Sequence, residues 1–203
     1  MVTFLLSMIF IQIPFELGYL ILQNKKNSNK ISIFKLVDYR KIINLKSYLL
    51  ICIPSFLWLV LILVLLSSRI DSIIINKFFY WMPKFLTCGG LNSTDYSRLF
   101  LITVSFFSVV FNGILSPFVE ELYFRGYLLP RIDRFGVVAP ILNTTLFSIY
   151  HFFSPWQIPA RIIALLPLII GVWKKRNIKI SILVHCGANT LFTIFGIVFL
   201  MIK

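Results

Sequence analysis

Acidic side chains are what this chain has least of. Its 203 residues carry seven Asp and Glu against twenty Lys and Arg, with two histidines and three cysteines. The cysteines, Cys52, Cys88 and Cys186, show no paired spacing and form no C-x-x-C, which excludes a sequence-legible disulfide framework or cysteine zinc site. No H-E-x-x-H motif occurs, and there is no internal repeat or low-complexity tract. Secondary transporters often show repeated halves, so a proton-coupled transporter is a weaker alternative here. The patterning of a soluble domain is missing too. Hydrophobic residues make up 59% of the chain, and they are segregated into blocks. The expected class is therefore all-α, a polytopic transmembrane bundle of about six helices with an intramembrane polar cavity.

The net charge of +13 does not require a nucleic-acid partner. The basic residues gather between apolar runs, at Lys25, Lys26, Lys30, Lys35, Arg40, Lys41 and Lys46, and again at Lys174, Lys175, Arg176 and Lys179. Such loops orient spans and meet anionic lipid headgroups, so membrane lipids are the expected partners. A span needs about 20 apolar residues. Residues 1–22, 47–67, 99–119, 135–160, 162–173 and 180–202 are the expected runs, the fifth lengthened by Trp156–Arg161 if Arg161 snorkels to the headgroups. The first run has no basic n-region or cleavage signal before Glu16, so it reads as a retained span. Segment 68–98 reads as a loop with an interfacial helix. With the basic loops in the cytoplasm, the N-terminus lies outside. Residues 1–98 are then N-terminal helices and loops, and 99–203 a helical core within one membrane domain.

Ionisable groups at membrane depth cost about 2.5–3.5 kcal/mol on insertion scales, and those retained are usually functional. Both histidines, His151 and His185, and the adjacent pair Glu120-Glu121 lie in or against apolar runs. Glu121 and Arg125 stand four apart, acid first, the favourable helical ion-pair spacing. Glu120 is rotated by about 100° from Glu121, which leaves it free to act as a base. Glu120 and His151 lie nearly equidistant from the turn around Phe135-Gly136, so a helical hairpin brings them to one depth. His185 and Asn189 share a helical face, and Gly187 and Ala188 allow close helix approach. Counted from the basic loop, His185 lies about 12 Å deep, and His151 about 7 Å from the opposite side. That leaves a gap of about 10 Å across a core of about 30 Å.

Together, E-E-x-x-x-R at Glu120, Glu121 and Arg125, F-x-x-x-H at Phe147 and His151, and H-x-x-x-N at His185 and Asn189 resemble the CPBP family of intramembrane proteases. That family includes the CAAX prenyl endopeptidases and the bacterial Abi-type proteins. The resemblance covers about residues 99–200 and includes Phe124-Arg125-Gly126. It implies an intramembrane endopeptidase acting on a membrane-associated protein or peptide. Glu120 and His151 would activate water, His185 and Asn189 would stabilise the oxyanion, and Glu121 and Arg125 would support them from behind. It leaves two chemistries open: a glutamate–water mechanism without cofactor, which Asn189 beside His185 favours, and zinc held by Glu120, His151 and His185. A non-catalytic immunity or binding protein is the other alternative. The Lys-, Ile- and Phe-rich composition points to a multi-pass protein of a bacterial cell membrane.

Overall fold

The computed structural model describes residues 2–27, 36–83 and 96–202. Cys88 and the Gly89-Gly90 pair lie outside them. The described residues include seven helices. These are α1 (Val2–Lys26), α2 (Leu45–Ser67) running on into α3 (Ser68–Phe78), α4 (Arg98–Arg131), α5 (Ala139–Tyr150), α6 (Ile158–Lys175) and α7 (Lys179–Ile202). Among the described residues, five helical stretches are long and apolar enough to cross a membrane: α1, α2, α4, Pro155–Lys175 and Lys179–Phe199.

The fourth expected span is not one helix. The uncharged run 135–160 breaks after Tyr150, where His151 leaves helical geometry (φ −81, ψ 48) and the chain turns into Pro155–Gln157. At helical rise the twelve residues of α5 cover about 18 Å, short of a hydrocarbon core. Irregular backbone at such depth is tolerated only where it is buried in protein or lines a cavity. Segment 68–98 opens with helix rather than loop, because α3 continues α2 directly.

Local chemistry fixes several ends. Asn44 Oδ1 accepts from the Ser47 N–H at 2.9 Å and caps α2, and Ser97 caps α4 in the same way. Gly136 takes the positive φ of 57° that the α4–α5 turn requires. α5 packs on α6, α7 crosses the middle of α4, α2 rests on both α6 and α7, and α1 lies against α4. The buried core between them includes Phe124, Phe147, Leu168, Ile169, Val184 and Ala188. The helices approach closely at Gly113, where an added Cβ would stand 3.2 Å from Thr190 Cα. Gly187, by contrast, is exposed, with Phe56 4.0 Å from its Cβ position. Close approach of α7 therefore relies on a glycine of α4.

Four stretches inside the helices widen to π-helical geometry: Met8–Gln12, Ile62–Ser67, Val109–Leu115 and Leu122–Leu128. Such bulges re-aim side chains and often mark functional sites. Three of them contribute Gln12, Leu63 and Asn112 to the same cavity.

One polar cluster locks the turns at the basic end. Asp133 accepts from Trp173 Nε1 at 2.6 Å, pairs with Arg176 at 2.7 Å and receives the Tyr39 hydroxyl at 3.2 Å. Arg176 is thereby held in left-handed geometry (φ 53°) at the end of α6. The Arg176 guanidinium, with the Trp173 indole, holds the Asp133 carboxyl below the ordinary aspartate range. A lowered folded value means that the contribution is full above about pH 3.9 and is lost as pH falls through the folded value. Asp133→Asn is therefore expected to lower the thermal midpoint in detergent at neutral pH, with the difference from wild type shrinking in acid. A difference independent of pH would contradict this.

Candidate active site

α4 carries the acid pair at the junction of its last α-helical turn, Ser116–Glu121, with the π-segment Leu122–Leu128. Glu121 Oε1 lies 3.1 Å from Arg125 Nη1, both side chains essentially inaccessible. The contact is close but misaligned for a hydrogen bond. The guanidinium is held on its other side by Phe147, whose ring centroid lies 4.0 Å from Cζ. Phe147 also packs edge-on to Phe124 and His185, at 5.1 and 5.6 Å. The aromatic residue of F-x-x-x-H thus forms a wall shared by the arginine and both histidines.

His151 sits at the end of α5, its Nδ1 2.9 Å from the Phe147 carbonyl. A carbonyl only accepts, so Nδ1 carries the proton and Nε2 is left as an acceptor. His185 on α7 gives its Nδ1 to Glu121 Oε1 at 2.8 Å, and its Nε2 stands 3.8 Å from Glu120 Oε2. Glu121 therefore orients His185 as well as holding Arg125. Asn189, one turn further along α7, donates to the Asn112 carbonyl at 3.3 Å. One of its two amide protons remains for another acceptor.

Glu120, His151, His185 and Asn189 all line a single cavity of about 300 Å³. Both histidines border this cavity and pack on the Phe147 ring, at 4.6 and 5.6 Å between centroids. His151 ends a half-length helix instead of standing near the far end of a full span. The rest of the lining is largely apolar and includes Phe4, Met8, Leu59, Leu63 and Leu165.

Gln12, Ser116 and Arg161 also line the cavity, and none of them belongs to the three motifs. Gln12 of α1 reaches Ser116 Oγ at 2.7 Å and touches Glu120 Oε1. Ser116 Oγ is itself 3.1 Å from that oxygen, so Glu120 is not the unengaged carboxylate expected. Arg161 does not snorkel to headgroups. Its guanidinium turns inward to the Ser148 carbonyl (3.3 Å), Ser154 Oγ (2.9 Å) and Gln157 Oε1 (2.8 Å), and it lines the cavity. Those bonds fasten the irregular turn that follows His151. Glu16, one turn beyond Gln12, is buried and faces the Tyr150 hydroxyl.

Among the described residues, no group of three or more His, Cys, Asp or Glu side chains is arranged to hold a metal ion. Glu120, His151 and His185 share a cavity without converging as a three-donor zinc site.

Residues 102–191 match the family model described as type II CAAX prenyl endopeptidase Rce1-like. The match takes in all three motifs and supports a CAAX-type intramembrane protease in general. Comparison with curated proteins and with solved structures gave no match.

Proposed function

From the Rce1-like match over residues 102–191, we propose that this protein is an intramembrane endopeptidase that hydrolyses a peptide bond of a membrane-associated protein or peptide. The observation that carries the reading is the convergence of Glu120, His151, His185 and Asn189 on one cavity whose remaining lining is largely apolar. Water held between the Glu120 carboxylate and His151 Nε2 loses a proton to this pair as it attacks the scissile carbonyl. The second amide proton of Asn189 and the Nε2 proton of His185 are then aimed at the oxyanion. To donate from Nε2 while Nδ1 serves Glu121, the His185 ring must carry both protons. The proton taken from water passes to the departing amine. The apolar lining accepts the hydrophobic flank of a membrane peptide and excludes bulk water. The setting is a multi-pass protein, proposed to lie in a bacterial cell membrane.

The test is reconstitution of the purified protein in liposomes with peptides extracted from the membranes of expressing cells, read by mass spectrometry. Wild type is expected to release fragments that Glu120→Gln does not, and to do so in chelator at sub-stoichiometric metal. Activity that disappears in chelator and returns with zinc would overturn the metal-free mechanism. Identical fragments from Glu120→Gln would overturn the protease itself and leave a binding role.

A further inference from the structure

The three motifs alone do not account for how the Glu120 carboxylate is aimed. A carboxylate acting as a base must present one oxygen to water in a fixed direction, and misplacement by about 1 Å can cost 100-fold. Rotation about its side-chain bonds would carry Glu120 between the cavity and its own helix. Two donors prevent this, and both act on the same oxygen. Ser116, one turn earlier on α4, lies 3.1 Å from Oε1. Gln12 reaches Oε1 from the opposite side of the cavity and joins Ser116 Oγ at 2.7 Å. A carboxylate only accepts, so the amide must present its NH2 group there. One N–H serves Glu120 and the other serves Ser116, whose hydroxyl proton is then free to donate to Oε1. This closed triangle leaves Oε2 as the cavity-facing oxygen, 3.8 Å from His185 Nε2.

Gln12 is placed there by the π-segment Met8–Gln12, which it ends. A regular helix through those residues would direct the side chain differently. The contact spans 108 residues of sequence, and it makes the first helix part of the reaction centre.

We infer that Gln12 is a positioning residue that, with Ser116, pins Glu120 Oε1 and aims Oε2 at the attacking water. The inference rests on the proposed role of Glu120 as the base. It predicts that Gln12→Met, similar in length but without donors, lowers kcat roughly 10- to 100-fold, the range for losing a hydrogen bond to a charged group, with KM little changed. Gln12→Glu supplies a sharper readout. Its carboxyl group donates to Glu120 when protonated and repels it when ionised. The ratio of Gln12→Glu to wild-type activity should therefore fall as pH rises, while the ratio for Gln12→Met stays flat. A purely structural role would lower the thermal midpoint and leave both ratios flat.

The experiment compares wild type, Glu120→Gln, Gln12→Met and Gln12→Glu in liposomes on the fragments that wild type releases. In parallel, the infrared carboxyl band that vanishes in Glu120→Gln is followed in the Gln12 variants, which needs no substrate. A band displaced in Gln12→Met, with the kinetic pattern above, supports the inference. An unmoved band, or wild-type kcat in Gln12→Met, overturns it. If Glu120→Gln itself cleaves normally, the proposed function fails first, and the infrared band still decides whether Gln12 holds Glu120.

Discussion

Glu120→Gln is expected to lower kcat by about 100- to 10,000-fold, the range contributed by a positioned general base, while the protein stays folded. Glutamine has nearly the same shape, and its amide oxygen can still accept from Gln12 and Ser116. What disappears is the ability to take a proton from water. Because glutamine keeps the shape of the side chain and both accepted hydrogen bonds, the thermal midpoint should stay close to that of wild type. That separates lost chemistry from lost structure. His151→Gln should cost about as much, and the double variant should lose little more than either single one, because residues acting on one proton are strongly non-additive. The check is fragment yield together with thermal unfolding in the same detergent. Additive losses would mean that the two side chains act independently.

The second large effect is on stability. Arg125 is fully buried between Glu121 and the Phe147 ring. Arg125→Met removes the cation and leaves the Glu121 carboxylate with His185 Nδ1 as its remaining charged partner. Breaking a buried pair from one side typically costs about 3–5 kcal/mol. For a chain of this size that is roughly 6–20 °C in the thermal midpoint. The companion Glu121→Gln/Arg125→Met should recover most of that loss, since neither charge is then stranded. It should not recover activity, because His185 has lost the carboxylate that orients its ring. Thermal unfolding of the single and double variants, with fragment yield, tests both parts. A double variant as unstable as Arg125→Met would show that Phe147 stacking, not charge, holds the arginine.

These effects concern residues that stand out in the sequence, and the reason they do is physical. Charge is rare in this chain, so Glu120, Glu121 and Arg125 are visible against hydrocarbon, and helical spacing alone suggests the Glu121–Arg125 contact. The segregation of apolar residues likewise makes the five long spans legible. What was hidden depends on tertiary contact. Hydropathy cannot see the break after Tyr150, because residues on both sides are uncharged; Ser154-Pro155 was the available signal, a turn dipeptide inside an apolar run. Arg161 reads as a span-end cation until the turn of residues 148–157 supplies three acceptors. Gln12 is a neutral polar residue in a hydrophobic helix with no motif around it, and its partners lie 104 and 108 residues away. The π-segments that aim Gln12 and Asn112 left no mark in composition.

The central claim is that water activated by Glu120 and His151 is the reagent that opens a peptide bond. The most direct measurement follows cleavage of membrane peptides in liposomes prepared in heavy-oxygen water. Wild type is predicted to release fragments bearing one heavy oxygen at the new C-terminus, and the Glu120→Gln/His151→Gln double variant is predicted to release none. The same labelled fragments appearing at the wild-type rate from the double variant would contradict the claim.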